Sequence, residues 1–91
     1  VIFTPGHTPG HQSVLVNLPK TGHMLFTGDA CYTGDHWCDK CLPGLVASSS
    51  DAAESVKKLR RVAKEHDAKV VWGHDPISWA DWKKAPMFYY D

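Results

Sequence analysis

Two Pro-Gly pairs, in Thr4-Pro-Gly-His7-Thr-Pro-Gly-His11, constrain this chain more than any other feature. Proline fixes φ, and glycine takes backbone angles that a side chain resists, so the pairs force tight turns on either side of His7. His7 is therefore expected on a stiff loop rather than on a helix face. Two later stretches end in a similar way. The apolar run Met24-Leu25-Phe26 passes through Thr27-Gly28 into Asp29, and Val70-Val71-Trp72 passes through Gly73 into His74-Asp75. Each of the three places a metal-ligand residue type where a rigid element empties into a loop. The reading is that they converge on a metal.

The chain has 91 residues, enough for one small domain with a modest core. It is 43% hydrophobic and 22% charged, which suits a globular fold rather than a disordered one. Ten basic and ten acidic side chains cancel, so nothing argues for nucleic acid or an anionic membrane as a partner. No apolar run approaches the roughly 20 residues of a membrane span. The odd cysteine among Cys31, Cys38 and Cys41 favours a reducing, cytoplasmic compartment over a disulfide-stapled module. Cys38-x-x-Cys41 lacks the second pair of a structural zinc site and reads as two incidental thiols. The chain opens on Val1 rather than Met, so a longer parent is expected.

Val1 to Thr4 reads as the end of a strand whose partner would lie upstream. Gln12 to Leu18 reads as a strand buried largely on both faces, Pro19 to Gly22 as a turn and His23 to Thr27 as the returning strand. Residues 30–50 lack periodicity and read as a loop of the kind that collects binding residues. Asp51-Ala-Ala-Glu54 has the spacing of a capping box, with Asp51 as the cap. Behind it Ala52, Val56, Leu59, Val62 and Ala63 share one face of a helix over 51–66. The Lys and Arg residues opposite form a solvated face rather than a nucleic-acid surface. Lys69 to Trp72 is a short strand, Pro76 opens a short helix through Trp82, and Pro86 to Tyr90 is an aromatic tail expected to pack on the body. Strands followed by a covering helix give an α/β (α+β) sheet with helices on at least one face, and the other face bare.

These residues resemble the later metal motifs of the metallo-β-lactamase superfamily, and within it the N-acyl-homoserine lactonases. The resemblance rests on Thr4-Pro-Gly-His7-Thr-Pro-Gly-His11, Thr27-Gly28-Asp29 and Gly73-His74-Asp75. It extends to Gln12-Ser13, Ala30-Cys31-Tyr32, Leu42-Pro-Gly-Leu-Val46, Pro76 and Trp79. It implies that residues 1–91 are the C-terminal half of an αββα sandwich with a mixed sheet and covering helices. The family's first metal motif, His-x-His-x-Asp-His, occurs nowhere in the sequence.

By position, the resemblance makes His7 a ligand of a first zinc, His74 a ligand of a second and Asp29 the carboxylate shared by both. Tyr32 matches the tyrosine that contacts the lactone carbonyl. The implied reaction is opening of an N-acyl-homoserine lactone by metal-activated hydroxide, with the parent chain as the enzyme and the 91 residues alone inactive. A glyoxalase-II-like thioesterase of the same superfamily is the alternative. A non-catalytic module that docks through the 30–50 loop and the aromatic tail is another. His11 is expected to be structural. Asp75 either orients His74 or caps the next helix.

Overall fold

A computed structural model describes residues 1–89; Tyr90, part of the expected aromatic tail, and Asp91 lie outside the described residues. The elements are β1 (Ile2–Phe3), β2 (Gln12–Leu18), β3 (Gly22–Gly28), α1 (Gly34–Trp37), α2 (Ser49–His66), β4 (Lys69–Trp72) and α3 (Pro76–Asp81). The strands form one mixed sheet in the order β1-β2-β3-β4.

β2 and β3 make the expected antiparallel hairpin, with Val14 opposite Phe26 and Leu15 opposite Leu25. Its turn needs Gly22, whose φ is +91°. β4 lies parallel to β3, aligning Leu25 with Val70. A parallel neighbour cannot be reached by a tight turn, so the chain crosses over through α2. This crossover brings the exits of β3 and β4 to the same end of the sheet.

α2 covers one sheet face. Leu59 and Leu25 are fully buried and form the core with Ala30, while Ile2, Leu15, Trp37, Ala63, Ala68 and Val70 pack around them. Burying a leucine contributes roughly 1.5–3 kcal/mol, so this one layer carries much of the stability. On the opposite face Phe3, Val14 and Phe26 remain exposed, but the face is not bare as expected: Met24 is buried there, and Met24, Phe26 and Val71 share a pocket with Trp79, Trp82 and Tyr89.

Several local expectations are corrected. β1 pairs downstream with β2, Ile2 opposite Ser13, because the Pro-Gly loop folds the chain back on itself. β2 is not buried on both faces, since Val14 is 41% exposed on the side away from α2. The cap of α2 is Ser48, not Asp51. Ser48 is extended and its Oγ accepts from the Asp51 amide at 3.3 Å. Its own amide donates to Gly6 O at 3.0 Å, so docking on the first loop sets where the helix begins. The 30–50 segment contains a one-turn helix, α1, whose cap Thr33 accepts from the His36 amide. In the tail Met87 and Phe88 are largely exposed, and Tyr89 packs against Trp82.

No helix among the described residues is long and apolar enough to cross a membrane.

Candidate metal centre

The loop from Thr4 to His11 is closed at its neck by the Thr4 amide donating to His11 O at 2.9 Å. Within it Gly6 has φ +140° and sits against the first turn of α2. A Cβ on Gly6 would lie 2.4 Å from the Ala52 backbone, so only glycine permits this approach. Ser55 Oγ donates to Pro5 O at 2.6 Å, and the amides of Ala47 and Ser48 donate to Gly6 O. The loop is thus clamped between the sheet and the helix, as the paired Pro-Gly sequence requires.

His7 stands on that clamp. Its Nδ1 lies 3.1 Å from Leu45 O and 3.3 Å from Tyr32 Oη. A carbonyl can only accept, so Nδ1 carries a proton, and in the neutral ring Nε2 keeps its lone pair. Nε2 faces Asp29 Oδ2 at 3.4 Å.

Asp29 follows Gly28, whose φ of +56° turns the chain out of β3. The following residues are then stitched to the end of β4. The Gly73 amide donates to Cys31 O at 3.1 Å and the His74 amide to Tyr32 O at 2.9 Å. These bonds carry His74 Nε2 to within 2.8 Å of Asp29 Oδ1. The two oxygens of Asp29 therefore face different histidines.

Tyr32 lies beside both histidines. Its ring centroid is 4.6 Å from that of His74 and 6.0 Å from that of His7, edge-on in each case. The Tyr32 amide donates to His36 Nδ1 at 3.2 Å. His36, in the stretch whose sequence lacks periodicity, is only 2% exposed and braces the Tyr32 backbone. Burial holds its imidazole below the ordinary histidine range, so the neutral ring that accepts this bond is favoured.

Asp75 does not orient His74. Its Oδ1 accepts from the amides of Ile77 and Ser78, capping α3, and its Oδ2 accepts from the Gly34 amide at 3.0 Å. The Gly34 bond is the main reason its carboxyl sits below the usual carboxylate range. Asp75 thereby latches the turn after β4 to the start of α1. An open groove of about 380 Å³ beside it is lined by Trp72, Gly73, His74, Pro76 and Trp79.

The cysteines offer little as ligands. Cys31 is fully buried, and that burial pushes its thiol up to about 12. Cys38 and Cys41 are free and exposed.

The donor set can be tested against a metal. Among the described residues no three His, Cys, Asp or Glu side chains close around one point tightly enough to hold an ion. The arrangement is instead two pairs sharing a carboxylate. Two ligand bonds of zinc length at a tetrahedral angle span about 3.3 Å between donor atoms. The His7–Asp29 separation of 3.4 Å already has that span. The His74–Asp29 separation of 2.8 Å is a direct hydrogen bond and would open by about half an ångström, within reach of a half-exposed side chain. Imidazole and carboxylate are donors that zinc accepts, so the residues fit a shared, incomplete metal centre.

Residues 1–74 match the family described as the Metallo-beta-lactamase superfamily. The chain is similar to the N-acyl homoserine lactonase AttM of Rhizobium radiobacter, 61% identical over 88 residues, which are 97% of this chain and 34% of that protein. It is also similar to an N-acyl homoserine lactonase of Bacillus cereus, 40% identical over 75 residues, 82% of this chain and 30% of that protein. Among solved structures it resembles an N-acyl homoserine lactone hydrolase with the product N-hexanoyl-L-homoserine bound at its catalytic metal centre. There the TM-score is 0.88 at 32% identity, covering 96% of this chain and 34% of the other. The chain thus spans about a third of the length of the curated relatives it matches.

Proposed function

The chain belongs to the metallo-β-lactamase superfamily, and from that premise we propose that it is the C-terminal part of a hydrolase that opens N-acyl-homoserine lactones. In this reading His7, Asp29 and His74 hold a pair of zinc ions, with the remaining ligands supplied from outside residues 1–91. The protein works in the cytoplasm on a small lactone, without nucleic-acid or membrane partners.

One observation carries the reading: each oxygen of Asp29 faces its own imidazole Nε2, at 3.4 Å for His7 and 2.8 Å for His74. A carboxylate so placed suits a shared ligand, and a zinc pair would supply a Lewis acid together with an acidified water. The chain's own residues do the rest. Leu45 O fixes the His7 tautomer, which keeps Nε2 available. Tyr32 Oη, 3.3 Å from His7 Nδ1, can share that N–H with Leu45 O while its own proton remains free. That proton can be donated to a lactone carbonyl as its oxygen gains charge, an interaction of the oxyanion-hole kind worth about 3–4 kcal/mol. The groove between His74 and Trp79 leaves an apolar surface beside the reacting position.

The test uses the complete polypeptide, loaded with zinc and offered N-hexanoyl-homoserine lactone. Ring opening should release acid, and His7→Ala, Asp29→Ala and His74→Ala should each lose metal and activity together. Tyr32→Phe should keep its metal and lose turnover. Unchanged metal content in all three alanine variants would overturn the ligand assignment. Hydrolysis of a glutathione thioester with no lactone opening would replace the substrate class by the thioesterase alternative.

A further inference from the structure

His11 ends the Pro-Gly loop, and both of its ring nitrogens are committed. Nε2 lies 3.1 Å from the Asp29 amide, which can only donate. Nε2 is therefore the acceptor, and in the neutral ring the proton sits on Nδ1, 2.8 Å from Thr4 Oγ1. Thr4 Oγ1 lies 3.0 Å from Ser13 Oγ, and Ser13 Oγ donates to Thr27 O at 2.9 Å. With His11 in that tautomer every group in the series donates once, from Asp29 N–H through His11, Thr4 and Ser13 to Thr27 O. Thr4 and Ser13 are no more than 1% exposed and Thr27 is fully buried, so leaving one of these groups unpaired costs about 1–3 kcal/mol. The series links the neck of the His7 loop, β2 and the exit of β3. Gly28 makes it possible: a Cβ there would lie 3.0 Å from His11 Nε2.

We propose that His11 is a positioning residue that fixes the backbone of Asp29, through a hydrogen-bonded series joining the two loops that carry His7 and Asp29. It cannot be a ligand itself, because neither ring nitrogen is free. This rests on the reading of Asp29 as a shared metal ligand. Partners one step removed from a metal typically govern about 10–100-fold in its affinity. The position of the Asp29 carboxylate depends on its amide, and His11 is the side chain that holds that amide.

The experiment compares His11→Leu, His11→Gln and Thr4→Val in the complete polypeptide. Leucine keeps bulk but accepts nothing, whereas the glutamine carbonyl can reach the place of Nε2. Co²⁺ affinity, measured by chelator competition and the visible spectrum of the bound ion, should fall about 10–100-fold in His11→Leu and recover in His11→Gln. Hydrogen exchange at the Asp29 amide should accelerate in His11→Leu and, less strongly, in Thr4→Val, with or without metal. Equal exchange at Asp29 in wild type and His11→Leu would overturn the proposal. So would equal losses in the leucine and glutamine variants, which would mark His11 as packing alone. A wild type that takes up no Co²⁺ but shows the exchange pattern would overturn the metal reading, and with it the role claimed for His11 toward metal.

Discussion

Gly73→Ala tests the idea that the end of β4 presses directly on the end of β3. A Cβ at residue 73 would lie 2.4 Å from Gly28 O and 3.0 Å from Gly28 C. Ordinary contact begins near 3.4 Å, so the strand ends must separate by about 1 Å. The obstacle is backbone, which cannot rotate aside as a side chain could. Overpacking of this kind costs about 1–3 kcal/mol, from a total of about 5–15 kcal/mol. The displacement also falls where function is expected. Gly28 precedes Asp29 and Gly73 precedes His74, so separating them pulls the carboxylate from its second imidazole. Metal sites tolerate about 0.2 Å, and a misplacement of 1 Å can cost about 100-fold in rate. Urea unfolding should show a lower midpoint with an unchanged slope, and metal binding should weaken more than the stability loss alone requires. Gly10→Ala is the control, because nothing lies within 4 Å of its added Cβ. A Gly73→Ala protein with wild-type midpoint and metal affinity would refute the steric argument.

Leu25→Ala and Leu59→Ala remove fully buried side chains that meet in the core, so each should cost about 2–5 kcal/mol in denaturant titrations. Ser48→Ala removes the cap of α2 and should cost about 0.5–2 kcal/mol, whereas Asp51→Ala should leave the start of the helix in place by amide exchange. Asp75 has its carboxyl held below the ordinary value of 3.8 in the folded protein. A depressed carboxyl stabilises above its unfolded value and loses that contribution as pH falls through its folded one. Stability should therefore drop on acidification below pH 3.8, and Asp75→Asn should flatten that part of the profile. The same variant sets an amide group against the Gly34 N–H, which should loosen α1 from α3 in exchange measurements.

Much of the site was legible because its geometry is encoded locally. Pro5-Gly6 and Pro9-Gly10 dictate a loop whatever surrounds them, and Gly after an apolar run marks where Asp29 and His74 leave their strands. The hairpin, the core face of α2 and β4 follow from periodicity, which is a property of neighbours in sequence. The resemblance then supplied roles that no periodicity could assign.

What the sequence could not decide was every relation between elements distant along the chain. The partner of β1, the choice of Ser48 over Asp51 as cap, and the task of Asp75 were each fixed by a contact elsewhere in the fold. Gly6 O claims the Ser48 amide, and the Gly34 amide claims Asp75. His11 was expected to be structural and His36 had no expected role, yet one braces Asp29 and the other Tyr32. Buried amides must find acceptors, and which acceptor lies within 3 Å is known only once the chain has folded. Sequence pointed to residues of the type such a site would need; the parallel docking of β4 on β3 decided that Asp29 meets two histidines at once.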